Sequence, residues 1–146
     1  MTDRLFLVAT LAGRSVAIPS DAIESVIVLG AIVPVPAAPS HIVGLTALRS
    51  KVVTVVDAAA RLGVPGEGRI SERAIVAAVD GHVYAVMVDG VEDVAMLATR
   101  PLANGVNVGE AWATVASDIA VRNGVPLLIL DLPTLIRGGA APRLAA

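Results

Sequence analysis

The sequence predicts an all-β protein built from two small lobes. Short runs rich in Val, Ile and Thr alternate with turn-forming Gly, Asn and Asp, and residues branched at Cβ favour extended backbone. The chain is 55% hydrophobic but has one Phe, one Trp and one Tyr, a composition that suits barrel cores of aliphatic side chains. It also repeats itself weakly, because residues 13–26 align without gaps on 81–94, and residues 51–62 on 125–136. Two barrels side by side would account for this repeat.

The first half of the chain is predicted to contain five strands joined by short connections. Gly13 allows a tight turn, Pro19-Ser20-Asp21 can start a short helical turn, and residues 31–41 form an extended, proline-rich connection. Residues 58–62 are predicted to form one turn of helix. The predicted strands are 4–11, 15–18, 23–29, 43–49 and 51–57.

The second half repeats this order of elements after residues 64–71, where Pro, Gly and mixed charges predict an exposed linker. Residues 99–109 are predicted to form a loop, and 132–136 a short helix. We therefore expect a single domain with lobes at about 14–71 and 72–137, and leave open an exchange of the terminal segments between them. The predicted strands are 73–79, 82–88, 91–97, 112–121 and 125–130.

Charge and composition exclude several classes of function. The net charge is −2, the pI is about 5.6 and no basic run occurs, so we expect no binding to nucleic acid. The absence of cysteine excludes disulfides and thiolate chemistry. The histidines His41 and His82 lie far apart without an acidic cluster, so we predict no metal site and no cofactor.

One uncharged stretch, from Ser25 to Leu48, is long enough for a membrane helix. Pro34, Pro36 and Pro39 interrupt it, and proline cannot donate a hydrogen bond to a helix. The sequence therefore predicts a buried strand and a loop here, in a cytoplasmic protein without direct membrane insertion.

The central segment 44–63, GLTALRSKVVTVVDAAARLG, predicts a hairpin with Arg49 at or beside its turn. This segment resembles the signature of the CheW family of chemotaxis coupling proteins, G-x-I-N-L-R-G-x-V-V-P-V-x-D-L. Departures from the signature are Ala47, Ser50, Thr54 and Ala58, in place of Asn, Gly, Pro and Leu. The matching residues are Gly44, Leu48, Arg49, Val52, Val53, Val55 and Asp57.

Three further stretches resemble family motifs in the same order: VAIPSDAIESV, AVMVDGVEDV and LLILDLPTLI. The resemblance implies two five-stranded Greek-key barrels with a groove between them, short helical turns and no catalytic activity. It also implies a scaffold that bridges chemoreceptor cytoplasmic tips to the regulatory domain of a CheA-type histidine kinase.

The candidate partner-binding residues centre on Arg49, which matches a family arginine at the receptor-facing surface. Ser25 stands where the family has a glutamate near that arginine. Apolar residues of the same lobe complete the candidate set, since an exposed apolar patch is typical of a docking surface. These residues are Val26, Val28, Val43 and Leu45.

Enzymatic interpretations are weaker. Asp57 ends an apolar strand, as in phosphoacceptor domains, but the first strand carries no acidic pair for Mg²⁺. We expect Asp57 and Asp131 to cap the helical turns that follow them. Glu92 and Asp93 are neighbours on a strand and should point to opposite faces.

Two other functions remain open from the residues alone. The high aliphatic content also fits a small barrel that binds an apolar ligand. A CheW-like module could equally serve a signalling array outside chemotaxis.

Overall fold

The computed structural model describes residues 3–39, 41–62, 72–102 and 110–137. Strands dominate these residues and the helices are short, which confirms the all-β class. The predicted linker 64–71, residues 103–109 of the predicted loop and the C-terminal tail after residue 137 lie outside them.

The strands reproduce nearly all of the sequence-based expectations. Branched residues form them and two-residue turns join the hairpins, as the sequence predicts. Their bounds are β1 Arg4–Leu11, β2 Arg14–Pro19, β3 Ser25–Val28, β4 Ile42–Leu48, β5 Lys51–Asp57, β6 Arg73–Val79, β7 His82–Val88, β8 Gly90–Leu97, β9 Arg100–Pro101, β10 Ala116–Arg122 and β11 Val125–Leu130.

The helical elements are α1 Ala58–Arg61, α2 Glu110–Val115 and α3 Leu132–Arg137, with a 3₁₀ turn at Ser20–Ala22. The strand predicted over 112–121 is wrong in its first part, because residues 112–115 belong to α2. Trp112 and Val115 are both buried, and a spacing of three residues places them on one face of a helix.

Within the described ranges the strands form two sheets. The five-stranded sheet has the order β3-β6-β7-β5-β4, and the six-stranded sheet has the order β8-β1-β2-β11-β10-β9. The family resemblance led us to expect five strands in each lobe. The sixth is β9, which is only two residues long.

The two sheets do not divide the chain at residue 71. The five-stranded sheet takes its strands from residues 25–88, whereas the six-stranded sheet combines residues 4–19 with residues 90–130. Each half of the chain thus places its first hairpin in the sheet of the other half. The lobe bounds 14–71 and 72–137 remain a prediction.

The internal repeat corresponds to equivalent positions in the two sheets. Reading both orders from one edge, β8 and β3, β1 and β6, β2 and β7, β11 and β5, and β10 and β4 match in turn. The central pair is parallel in each case, β11 with β2 and β5 with β7. The repeat therefore supplies an internal control for each site: the same position in the other sheet.

The largest hydrophobic cluster lies between the two sheets. It joins Leu7, Ile18 and Leu130 of the six-stranded sheet to Val56 and Ile75 of the five-stranded sheet. Smaller clusters fill the opposite face of each sheet. The central strands are therefore buried on both faces, which explains why β11 ends in four consecutive buried apolar residues.

Candidate functional site

The β4–β5 hairpin presents Arg49 to solvent at its turn. Leu48 pairs with Lys51, so Arg49 and Ser50 are the two central turn residues, with φ of 50° and 69°. Positive φ at both positions is what a type I′ turn requires. Within the described ranges, Arg49 makes no hydrogen bond or ion pair, so its guanidinium is available to a partner.

An ordered arm, residues 29–39, covers the outer edge of β4. The Thr46 hydroxyl donates to the Ala31 carbonyl at 2.7 Å, and Val33 and Leu45 exchange two backbone hydrogen bonds of 2.8 Å. A Cβ at Gly44 would collide with the carbonyl oxygen of Val33. Because Gly44 has no side chain, the arm can approach β4 closely. The arm covers the outer edge of β4, so another strand cannot pair with that edge.

The face formed by the arm and the hairpin is apolar and exposed near the turn. Val33 is opposite Leu45, Ala47 is opposite Val52, and Leu45 and Ala47 share a face because strands alternate. Val33 is 65% exposed and Val52 69%. We call this surface, Val33, Leu45, Ala47 and Val52, the hairpin face.

The structure separates the predicted partner-binding residues into different environments. Val28 is 60% exposed, while Ser25 is half-buried at the start of β3. Val26 packs against the cluster between the sheets, and Val43 packs inside the five-stranded sheet. Leu45 is half-buried and lies, like Val43, on β4 of the hairpin that carries Arg49.

Sequence reasoning missed Val33 and Val52, two exposed members of the hairpin face. Val52 could have been found from its alternation with buried Val53 on β5. No periodicity in the proline-rich arm indicates that Val33 pairs with Leu45, because that pairing depends on the arm folding back.

In the six-stranded sheet, the two positions that the repeat aligns with Ser25 and Leu48 hold an ion pair. Arg122 on β10 donates to Asp93 on β8 at 2.6 Å, so these two non-adjacent strands approach each other. The hydrogen bond from Arg122 is the main reason that the pKa of Asp93 lies below its usual value, and the Val94 N–H contributes. By the repeat, Asp93 corresponds to Ser25 and Arg122 to Leu48, so the five-stranded sheet has no such pair there.

Two other side chains, both distant from the hairpin turn in the fold or the sequence, have lowered pKa values. Partial burial, with a contribution from Arg61, lowers the pKa of His41. A two-pronged contact with Arg137, at 2.9 Å for each hydrogen bond, lowers the pKa of Asp80. This contact ties α3 to the β6–β7 turn.

Carboxylates that invited an enzymatic interpretation have structural partners. Asp57 accepts from the Ala60 N–H at 3.2 Å and Asp131 from the Thr134 N–H at 3.4 Å, which confirms their predicted capping roles. Glu92 accepts from the Thr10 hydroxyl, whereas Asp93 contacts Arg122. The two acids therefore face different partners, as predicted.

Among residues 3–39, 41–62, 72–102 and 110–137, no group of three or more His, Asp or Glu side chains could hold a metal ion. No helix in these ranges has the length and apolar character needed to cross a membrane.

A cleft of about 220 Å³ lies beside the 3₁₀ turn, between Asp21 to Glu24, Ala77 to Val79 and the start of α3. Its lining includes the carboxylate residues Asp21 and Glu24, and the cleft is partly open to solvent. It does not resemble the enclosed apolar cavity that a hydrophobic ligand needs.

Comparison with known proteins gives consistent matches. A family model described as the CheW-like domain matches residues 5–139. A chemotaxis protein CheW of Rhizobium meliloti (strain 1021) is 36% identical over 70 residues, which is 47% of this chain and 45% of that relative. The aligned stretch thus spans less than half of that relative's length.

A solved structure, the scaffolding protein TtCheW from Thermoanaerobacter tengcongensis, superposes with a TM-score of 0.82. The superposition covers 99% of both chains at 23% identity. At this identity the likeness establishes the fold.

Proposed function

The chain belongs to the family of CheW-like domains, and on this premise we propose that it is a non-catalytic coupling scaffold in a chemotaxis signalling array. In this role it joins the cytoplasmic tips of chemoreceptors to the regulatory domain of a CheA-type histidine kinase, in the cytoplasm. The observation that carries the proposal is the family match over residues 5–139 together with an exposed Arg49 at the turn where the family signature has its arginine.

The geometry supports docking rather than chemistry. Arg49 offers a planar, permanently charged fork that can bind a carboxylate through two hydrogen bonds. Val28 and Leu45 of the predicted set offer apolar surface on two strands of the same sheet. We propose Arg49 as the principal receptor contact, with Val28 and Leu45 as apolar contacts, and Ser25, Val26 and Val43 as residues that shape the surface from behind.

The direct test is reconstitution from purified components. The chain is mixed with receptor tips and the regulatory domain of the cognate kinase, and pelleted complexes and kinase activity are measured. We expect the chain to co-sediment with both partners and to change kinase activity. Failure to bind either partner at concentrations that assemble other members of the family would refute the proposal.

Replacing the arginine tests the proposed receptor contact. We expect Arg49→Glu to weaken co-sedimentation with receptor tips by about tenfold or more, because a charge reversal replaces attraction by repulsion. Arg49 is exposed, so the melting temperature should not change. Arg100→Glu, an exposed arginine on β9 of the other sheet, is the matched control; equal losses in both variants would exclude Arg49 as a specific contact.

A further inference from the structure

The cleft beside the 3₁₀ turn lies next to the helix α3. The start of α3 forms part of its lining, together with Ala77 to Val79 at the end of β6. At the other end of α3, Arg137 binds Asp80, the residue that follows this stretch of β6. A helix of six residues is about 9 Å long, so both of its ends lie near the cleft. The C-terminal tail, residues 138–146, is therefore joined to the fold beside the cleft.

The floor of the cleft is apolar and its rim is acidic. Ala77, Val79 and Leu132 are buried, whereas Asp21 and Glu24 are exposed. Among the described residues, no lysine, arginine or histidine contributes to the lining. The volume of about 220 Å³ is below the usual range of small-molecule sites and suits one or two side chains. The cleft therefore favours a cationic side chain that stands beside an apolar one.

Glu24 is the carboxylate at this cleft that a cation can bind without displacing another group. Asp80 is engaged by the last residue of α3, and Asp131 caps the first turn of α3. Asp21 has Arg4 at 3.6 Å in an exposed ion pair, a kind of contact that contributes little. Within the described ranges, the Glu24 carboxylate makes no ion pair or hydrogen bond. Its negative charge is therefore available to a partner.

The C-terminal tail has the matching composition. It reads GGAAPRLAA, with Arg143 as its single charge and Leu144 beside it. The two glycines come directly after α3, and glycine is the residue with which a chain most often reverses its direction after a helix. Arg143 is six residues beyond Arg137, and six residues of extended chain span at most about 22 Å. This reach exceeds the length of α3, so the tail can return along the helix to Glu24.

We propose that the C-terminal tail of the same chain occupies this cleft, with Leu144 on the apolar floor and Arg143 bound to the Glu24 carboxylate. The contact is intramolecular, so the tethered tail has an effective concentration on the order of millimolar, and a weak contact is enough to hold it. The occupied cleft is closed to basic segments of other proteins. The inference is independent of the proposed function and concerns other elements than the β4–β5 hairpin.

The test makes use of a sequence without cysteine. An Ala145→Cys variant carries a single nitroxide spin label, which broadens the amide resonances of residues close to it. We expect strong broadening of the cleft amides, Ile23, Glu24 and Ala78. Gly81, beside the contact between α3 and the β6–β7 turn, is the internal reference, because a tail that moves around α3 without docking would broaden its amide as much as those of the cleft.

Charge substitutions in the spin-labelled chain identify the contact. We expect Arg143→Glu to reduce the broadening of the cleft amides, relative to that of Gly81, by about threefold, because repulsion replaces an exposed ion pair. Glu24→Lys should have the same effect, and the two substitutions together should restore most of the broadening, because the charges are exchanged. Glu72→Lys is the matched control, since Glu72 is exposed at the other end of β6, and it should leave the broadening unchanged.

A mixed sample distinguishes the chain's own tail from that of a second copy. Spin-labelled chain without nitrogen-15 is mixed with nitrogen-15-labelled chain that carries no spin label. We expect no broadening of the cleft amides in this mixture, because each cleft is filled by its own tail. Broadening confined to the cleft would assign the contact to a neighbouring copy and overturn the inference.

Three results within the single chain would also overturn the inference. These are broadening of Gly81 equal to that of the cleft amides, equal effects of Glu24→Lys and Glu72→Lys, and a charge-exchanged double variant with no more broadening than the single variants. Glu24 and Glu72 are both exposed, so their variants should melt as the parent does, and a change in broadening then reports the tail rather than the fold.

Discussion

At the scale of single residues, the β4–β5 turn differs most from what local propensity favours. Arg49 and Ser50 both have positive φ, although the equivalent turn of the other sheet is Asn123-Gly124, the pair that such turns prefer. The sequence predicted the turn from its flanking strands. It also showed Ser50 in place of the family glycine, but only the structure shows that Ser50 adopts the conformation a glycine would.

We expect Ser50→Gly to stabilise the protein by about 1 kcal/mol, because glycine reaches this conformation without the clash of a Cβ. Chemical denaturation of the variant and the parent measures the difference in free energy of unfolding.

The converse change in the other sheet, Gly124→Ser, is the matched control and should destabilise by a similar amount. If Ser50→Gly were neutral while Gly124→Ser destabilised, the β4–β5 turn would not be strained.

Capping residues were the most predictable single positions. Asp57 and Asp131 each follow an apolar strand and precede a short helix, and each accepts a backbone N–H three residues later. Capping depends on neighbours in sequence, so local pattern is sufficient to find it.

At the scale of elements, the arm over β4 combines a predictable and an unpredictable part. Its prolines indicated an extended connection, and the structure confirms one. Its attachment depends on Gly44 and Thr46, residues of a different element, so no pattern within the arm itself could indicate where it packs. Helix α2 was predicted as part of a strand, although the spacing of its buried Trp112 and Val115 places both on one face of a helix and on opposite faces of a strand.

We expect Gly44→Ala to destabilise the protein by about 1–3 kcal/mol, because the added methyl would overlap backbone of the arm and force it to move. Urea denaturation measures the loss. Faster hydrogen exchange of the Val33 and Leu45 amides would locate it.

Gly30→Ala is the control within the same arm, since a Cβ there would meet nothing within 4 Å. Equal effects of the two substitutions would show that the close approach at Gly44 is not what attaches the arm.

At the scale of the whole molecule, stability depends on the cluster shared by the two sheets. Leu135 of α3 is fully buried there, with residues from both sheets around it. Each sheet also contains a hairpin from the other half of the chain. The two sheets should therefore unfold in one transition rather than in sequence.

We expect Leu135→Ala to destabilise by about 2–5 kcal/mol, the usual range for a large cavity in a core, and to lower the stability of both sheets together. Fluorescence of the single Trp112 reports the cluster between the sheets, and far-ultraviolet circular dichroism reports all strands.

The two signals should change at the same denaturant concentration in the parent and in the variant. Leu5→Ala, at a position 44% exposed, should cost less than about 1 kcal/mol. Separate transitions would mean that the sheets are independent folding units.

The sequence by itself determined the class of fold, the strands and turns, the capping aspartates and the family, because each depends on short-range pattern or on motifs read in order. Tertiary structure decided which strands share a sheet and which valines reach solvent. It also decided that the arm packs along the β4–β5 hairpin, with Val33 paired to Leu45. These features depend on contacts between residues far apart in the chain. The alternation of side chains along a strand shows that the strand has two faces, but it does not show which face another part of the molecule will cover.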